Sequence, residues 1–112
     1  MAQVVEMTGD VAVVMLSGNT LEAGNETDFK QEVRPVLESN TKVVFDMGRL
    51  RFVDSCGLRA ILLCLRQLKA SGGDLKLCQL TKPVRTLFEL VRFHRVFDIY
   101  ETRDQAVRAF QR

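Results

Sequence analysis

Residues 43–58 of the sequence are VVFDMGRLRFVDSCGL, and this stretch is the most informative about the fold class. It begins with Val43–Phe45, an apolar and largely β-branched run that is typical of a buried strand. A connector, Gly48–Val53, follows the strand. From Asp54 or Ser55 onward the apolar residues recur at helical spacing, so a strand leads into a helix. This order predicts a parallel crossover of the kind found in α/β domains.

The helix that begins in this stretch has a regular buried face. Leu63 falls outside that face, and we expect it to be partly exposed. The segment Ser71–Asp74, which contains two glycines, ends the helix. The residues of the apolar stripe are Leu58, Ile61, Leu62, Leu65 and Leu68.

Toward the N-terminus, the pattern predicts a hairpin followed by a helix. Strands around Val4-Val5 and at Val11–Leu16 flank the turn Thr8-Gly9-Asp10. The first helix is predicted to start with Asn25 as its N-cap, and Pro35 inside it is expected to introduce a kink. Its apolar positions are Phe29, Val33, Val36 and Leu37.

Toward the C-terminus, strands and helices continue to alternate. A strand is predicted at Leu75–Leu80, and Val96–Tyr100 is predicted to be a short strand or an extended segment. Thr81 with Pro83 opens a third helix, and Thr102–Gln105 matches a capping box that opens a fourth. We therefore predict an α/β fold: a mixed β-sheet with an N-terminal hairpin and about four packed helices. The apolar positions of the last two helices are Val84, Leu87, Phe88 and Val91, then Ala106, Val107 and Phe110.

Length and charge exclude several classes of protein. The chain has 112 residues, so we expect residues 1–112 to form one domain. Sixteen basic and fourteen acidic residues leave a net charge of +2, which does not indicate direct binding to nucleic acid. The longest apolar runs have six residues, so no membrane insertion is predicted. Because Met1-Ala2-Gln3 starts no signal-peptide pattern, we expect a cytoplasmic protein.

The cysteines and the histidine do not indicate a metal site. Cys56, Cys64 and Cys78 lie 8 and 14 residues apart, and His94 is the single histidine. This set does not supply a typical four-ligand zinc site, and an odd number of cysteines without an export signal favours reduced thiols. We expect neither a metal nor a cofactor.

The start of the second helix carries the clearest candidate site. Ser55 follows Asp54 at a helix N-terminus, where unpaired N–H groups would stabilise a phosphate on the serine. Gly57 adds no Cβ that would crowd such a group. The simpler interpretation is that Ser55 is an N-cap, a role worth about 1 kcal/mol of stability.

Asp54-Ser55-Cys56-Gly57-Leu58 resembles the D-S-[ST]-G-L signature of anti-sigma factor antagonists, which are small STAS domains. The similarity extends along nearly the whole chain. It includes Gly18 with Leu21-Glu22-Ala23 before the first helix and Gly72-Gly73-Asp74-Leu75 before a strand. Pro83-Val84-Arg85 and Val96-Phe97 also fit the family.

This resemblance implies a function and a set of site residues. The family's phosphorylation site maps to Ser55. In the family, an anti-sigma serine kinase phosphorylates this serine, the unphosphorylated antagonist binds that kinase and releases a sigma factor, and a serine phosphatase resets the cycle. The acidic residue in the loop before the first helix contributes to partner contact, and Glu22 holds that place. The resemblance implies no catalytic residue. The predicted partner-binding residues are Glu22, Asp54, Ser55, Cys56, Gly57 and Arg59.

The chain departs from the family pattern at three places. Cys56 replaces a serine or threonine, which leaves Ser55 as the one phosphoacceptor of the motif. Glu22 replaces the commoner aspartate, in a loop that is one residue longer than usual. Arg59 stands where many relatives have glycine, and it could contact a phosphate or a partner.

Two alternative functions remain open. A single STAS domain can also be an adaptor for a non-sigma partner, such as a lipid transporter. Cys56, close to a helix N-terminus, could instead serve as a redox-sensing thiol.

His94 is more simply a residue of a solvated helix end, and with Ser55 and Asp54 it forms no triad that the family uses. Arg49 and Arg51 are further candidates for contacting an acidic partner.

Overall fold

The computed structural model of the protein describes residues 3–111, so Met1 and Ala2 of the predicted N-terminus and Arg112 lie outside the described residues. Seven strands and four α-helices alternate along this part of the chain. In chain order they are β1 (Gln3–Thr8), β2 (Val11–Leu16), β3 (Thr20–Leu21), α1 (Glu26–Ser39), β4 (Lys42–Asp46), β5 (Phe52–Val53), α2 (Ser55–Ala70), β6 (Asp74–Cys78), α3 (Lys82–Leu90), β7 (Asp98–Tyr100) and α4 (Arg103–Ala109), with a 3₁₀ turn at Phe93–Arg95 between α3 and β7.

Five of the strands form one mixed sheet in the order β1-β2-β4-β6-β7. The hairpin strand β1 runs antiparallel to β2, and every other neighbouring pair is parallel. Each parallel step is bridged by a helix, as a crossover connection requires. The predicted mixed sheet, N-terminal hairpin and four helices are therefore confirmed.

The two faces of the sheet are covered unequally. Side chains of α1, α2 and α3 pack on one face, around the buried rings of Phe29 and Phe45, which meet edge to face at 5.9 Å. The central part of the other face is covered by α4, whose Ala106 and Val107 pack against strand residues such as Val44. Because successive residues of a strand point to opposite faces, strands between two covered faces are apolar throughout, as β2 is.

Two charged side chains are buried in the sheet, and each has partners. Asp46 at the end of β4 accepts hydrogen bonds from Gly48 N and from Arg103 Nη2. Lys76 in β6 lies 2.9 Å from Asp98 Oδ2 and 4.7 Å from the centre of the Phe110 ring. These contacts offset the cost of removing both charges from water.

Several element ends differ from the predictions for local reasons. The predicted strand Leu75–Leu80 ends at Cys78, because Gln79 adopts a left-handed backbone with φ of 60°. Val91, predicted to lie in the stripe of α3, is exposed, because the helix ends before the left-handed residue Arg92. α1 continues through Pro35 as one helix, and Pro35 is exposed to solvent.

The loops before α1 and α2 contain two strands that the sequence did not predict. Thr20–Leu21 and Phe52–Val53 pair in parallel as β3 and β5, and Phe52 lies inside the segment predicted as a plain connector. Strands of two residues carry too little periodicity to be found from sequence. Their pairing determines how the two loops meet at the candidate site.

Candidate functional site

The predicted site forms where the loop before α1 meets the start of α2. The N–H groups of Arg51 and Phe52 donate to the carbonyl oxygen of Asn19, at 2.8 and 3.2 Å, and Asp54 N donates to Leu21 O. These backbone bonds continue the β3–β5 pairing on both sides. They place the loop that carries Glu22 directly beside the residues that open α2.

Asp54 joins this loop to the helix through its side chain. It is the N-cap of α2: Oδ1 accepts a hydrogen bond from Gly57 N at 2.9 Å, and Oδ2 accepts one from Ala23 N at 3.1 Å. The hydrogen bond from Gly57, together with those from Ala23 and Cys56, lowers the pKa of the Asp54 carboxyl despite some desolvation. The carboxylate is therefore ionised at neutral pH and occupied by backbone donors.

Ser55 is the first residue of α2 and is exposed to solvent. Asp54, one residue earlier, fills the N-cap position. The interpretation of Ser55 as the cap of the helix is therefore wrong, and its hydroxyl is not needed to satisfy the helix start. The sequence also predicted that free N–H groups of this turn would stabilise a phosphate. The N–H groups of Gly57 and Cys56 instead act on the Asp54 carboxylate, so they are not free for that role.

Gly57 allows α2 to lie against β3 and β5. A Cβ at this position would press against the backbone oxygen of Leu21 and come within 2.8 Å of Val53 Cγ1. The glycine is thus required by the close approach of the helix to the paired strands. Its role in the site is to position the helix start rather than to leave room for a phosphate.

The loop around Glu22 is held by Asn25, in a way that differs from the prediction. Asn25 precedes α1, but its side chain makes no capping bond to the helix. Its Oδ1 accepts a hydrogen bond from Glu22 N, and its Nδ2 donates to Thr20 O. The backbone of Glu22 is therefore fixed, and its half-buried carboxylate makes no hydrogen bond or ion pair within residues 3–111.

Cys56 and Arg59 lie at one end of a shallow groove between α1 and α2. Cys56 is partly buried, while Arg59 is exposed. Leu63, which the sequence placed outside the apolar stripe, is 36% exposed in the same groove. We call this the α1–α2 groove, and its lining residues are Glu26, Lys30, Cys56, Arg59, Ala60 and Leu63.

The remaining candidates lie elsewhere. Arg49 lines a separate depression with Met15, Asp46 and Gln79, at the ends of the central strands. His94 lies exposed in the 3₁₀ turn after α3. In the part of the chain from residue 3 to residue 111, no group of three His, Cys, Asp or Glu side chains could hold a metal ion.

The sequence did not predict a polar cluster that lies near this depression. Asp46 Oδ2 accepts hydrogen bonds from Arg103 Nη2 at 3.1 Å and from Gln79 Nε2 at 3.3 Å, and Arg103 Nη1 lies 3.5 Å from Glu6 Oε2. An arginine in the first turn of a helix opposes the helix dipole. The position of Arg103 in the sequence could therefore have indicated that it pairs with an acidic residue. The fold shows that this residue is Asp46.

No α-helix formed by residues 3–111 combines the length and the hydropathy needed to cross a membrane. The described helices are instead the amphipathic covers of the sheet.

Comparison with known proteins identifies the family. The STAS domain family matches residues 2–106. The chain is 34% identical over 99 residues to BtrV of Bordetella bronchiseptica, a candidate anti-sigma factor antagonist, with 88% of this chain and 85% of that protein covered. The crystal structure of a candidate anti-sigma factor antagonist from Thermotoga maritima superposes with a TM-score of 0.87 at 26% identity, covering 98% of this chain and 95% of the other.

A further similarity concerns the fold alone. The phosphorylated form of SpoIIAA, a Bacillus cell fate determinant, superposes with a TM-score of 0.71 at 21% identity, and the alignment covers 97% of this chain and 99% of that one.

The sheet order and the helix placement are consistent with the family match. The chain belongs to the STAS domain family and is similar to its anti-sigma factor antagonists.

Proposed function

We propose that the protein is an anti-sigma factor antagonist that is switched by phosphorylation of Ser55. In its unphosphorylated form it binds an anti-sigma serine kinase, and this binding releases a sigma factor. The kinase transfers the γ-phosphoryl group of ATP to Ser55 Oγ, which loses its proton, and ADP leaves. A serine phosphatase hydrolyses the phosphoserine with water, which restores the serine hydroxyl and releases inorganic phosphate. The protein itself is the substrate and ligand of these enzymes, acts without a cofactor and catalyses no reaction.

The observation that carries this proposal is the state of Ser55. Its side chain is exposed at the first position of α2, while Asp54 performs the capping that a serine could otherwise supply. A kinase can therefore reach the hydroxyl without unfolding the helix. The similarity to BtrV, and the existence of a phosphorylated form of SpoIIAA, support the same function.

The proposed binding surface is made of residues that the β3–β5 pairing brings to one end of the molecule. Asp54 bonds to Ala23 next to Glu22, and Gly57 packs on Leu21. Ser55, Cys56 and Arg59 follow on the exposed side of α2. We propose that the kinase contacts the Glu22 loop and this end of the helix together.

Simple electrostatics explains why a phosphate at Ser55 would end binding. Phosphorylation adds a charge of about −1.5 to −2, directly beside the ionised Asp54. In an interface, desolvation of this group and its repulsion by Asp54 would cost roughly 3–4 kcal/mol, a loss of affinity of roughly a hundredfold or more. No change of fold is needed for this effect.

Binding of Ser55 variants to the cognate anti-sigma kinase tests the proposal. We expect Ser55→Ala to bind with an affinity close to that of the unphosphorylated protein, and Ser55→Asp to bind at least tenfold more weakly. Ser39→Asp is the matched control, because it adds the same charge at the far end of α1. Equal binding of Ser55→Ala and Ser55→Asp, measured by calorimetry, would contradict the proposal.

A further inference from the structure

We infer that the phosphate on Ser55 is held by the guanidinium of Arg59 on the same helix. Phosphorylation then does more than add charge, because it also withdraws Arg59 from the surface offered to a partner. This inference rests on the proposed phosphorylation of Ser55 and names the group within the chain that receives the phosphate.

The N–H groups at the start of α2 already have an acceptor. Asp54 Oδ1 accepts the hydrogen bond of Gly57 N, and the Cys56 N–H also acts on this carboxylate. The partial positive charge of the α2 terminus is thus balanced by an ionised aspartate. A phosphate on Ser55 needs another cation, since the adjacent Asp54 carboxylate repels it.

Arg59 lies where its guanidinium can reach a phosphate on Ser55. It follows Ser55 by four residues, so the two side chains project from the same face of α2, one turn apart. Arg59 is exposed and makes no ion pair with any residue from 3 to 111. A guanidinium can donate two parallel hydrogen bonds to phosphate oxygens, and its long side chain easily spans one helical turn.

The other cations near Ser55 are less available. Lys30, on the other side of the α1–α2 groove, lies 3.1 Å from Glu26 Oε2 and is already paired. Arg49 lines the depression at the strand ends, away from this groove. Arg51 is exposed, but it belongs to the connector before β5 rather than to the helix that carries Ser55. Arg59 is therefore the uncommitted cation that lies one turn from Ser55 on the same helix.

The consequence concerns the α1–α2 groove. In the unphosphorylated protein, Arg59 lines the groove together with Cys56 and Leu63 and is free to meet an acidic partner. When its guanidinium turns toward the phosphate, the groove loses that positive charge. The two effects act in the same direction, because one adds a negative charge and the other neutralises a positive one.

A thermodynamic cycle on the full chain tests this inference. Phosphoserine is installed at position 55 by genetic encoding, and thermal unfolding is measured for phosphorylated and unphosphorylated protein, each with Arg59 or with Arg59→Gln. We expect the effect of phosphorylation on Tm to be more favourable by about 2–4 °C when Arg59 is present. In ³¹P NMR, the phosphate should titrate at lower pH with Arg59 than with Arg59→Gln, because the cation favours the dianion.

Two control variants make the result decisive. Arg66→Gln removes another exposed arginine of α2 that is not one turn from Ser55, and Arg51→Gln removes the exposed arginine of the connector. Both should leave the NMR titration of the phosphate unchanged. The inference is overturned if Arg59→Gln changes neither Tm nor the titration, or if Arg51→Gln reproduces its effect.

The same design separates this inference from the proposed function. The phosphate is installed without a kinase, so the pairing with Arg59 can be present even if Ser55→Asp and Ser55→Ala bind the kinase equally. In the opposite case, loss of kinase binding without coupling to Arg59 would leave the proposed function standing and remove only the pairing.

Discussion

Two glycines beside the candidate site differ in what a side chain would meet. A Cβ on Gly57 would press on the backbone of Leu21 and on Val53, whereas a Cβ on Gly24 would find no atom within 4 Å. Backbone atoms cannot move aside as a flexible side chain can. The importance of Gly57 therefore comes from packing between elements rather than from its own backbone conformation.

We expect Gly57→Ala to destabilise the protein by about 2–3 kcal/mol, because the helix start must shift away from the paired strands. Gly24→Ala is the matched control, and its effect should stay within about 0.5 kcal/mol. Urea unfolding followed by circular dichroism measures both. A Gly57→Ala protein as stable as Gly24→Ala would show that α2 does not depend on this contact.

A second prediction for a single residue concerns Asp54 and the pH dependence of stability. Its folded-state pKa lies below the ordinary value of 3.8, mainly because of the hydrogen bond from Gly57 N. The stabilisation by the charged form is thus present above pH 4 and is lost as the pH falls through the folded pKa. We expect Asp54→Asn to be less stable than the wild type at pH 7, with the difference shrinking toward pH 3.

Thermal unfolding across this pH range measures the effect. Asp28→Asn changes an exposed aspartate in the first turn of α1 and serves as control, with a smaller difference expected. A difference between wild type and Asp54→Asn that stays constant from pH 7 to pH 3 would exclude the charged cap as its source.

At the scale of elements, the short helix α4 covers the central part of one face of the sheet. It spans seven residues and begins with a complete capping box, in which Thr102 accepts from Gln105 N while the Gln105 side chain accepts from Thr102 N. So short a helix is not stable alone. It is held by its packing on Val44 and its neighbours and by the bond of Arg103 to Asp46.

We expect Arg103→Gln to destabilise the protein by about 1–3 kcal/mol, because it leaves the buried Asp46 carboxylate without its cation. Arg108→Gln is the control from the same helix. Arg108 makes an exposed pair with Asp104, and such pairs contribute about 0.5 kcal/mol or less. Denaturation in urea compares the two, and equal losses would mean that Arg103 acts as a surface residue.

At the scale of the whole molecule, the fold gives its three cysteines different environments. Cys64 and Cys78 are buried on opposite faces of the sheet, and burial raises the pKa of each thiol to about 12. Cys56 is only partly buried, in the α1–α2 groove. Because the thiolate is the reactive form, the two buried thiols are protected twice, by low access and by protonation.

We therefore expect iodoacetamide at pH 8 to modify one cysteine of the native protein, Cys56, and all three after unfolding in urea. Mass spectrometry of tryptic peptides locates the label, since Phe52–Arg59 contains Cys56 and no other cysteine. Rapid native labelling of Cys64 or Cys78 would show that the fold opens more readily than its packing indicates. If Cys56 also proves inert to mild peroxide, the alternative of a redox-sensing thiol is removed.

The order and type of the main elements can be predicted from local sequence patterns. Local periodicity or capping chemistry indicates each of these elements in the sequence. Examples are the apolar run Val11–Leu16, the helical stripe that starts at Leu58 and the capping box at Thr102. The motif around Ser55 likewise needed no tertiary information, because its residues are adjacent in the chain. Whether Ser55 is phosphorylated stays a prediction.

The contacts that those residues make depend on the tertiary fold. The β3–β5 pairing, the bond from Ala23 to Asp54 and the contact of Gly57 with Leu21 join segments about 30 residues apart. The same is true of Arg103, whose partner Asp46 lies 57 positions away. Periodicity and capping act within a few residues and can be found in the sequence, whereas these contacts exist only because the sheet brings distant loops to one edge.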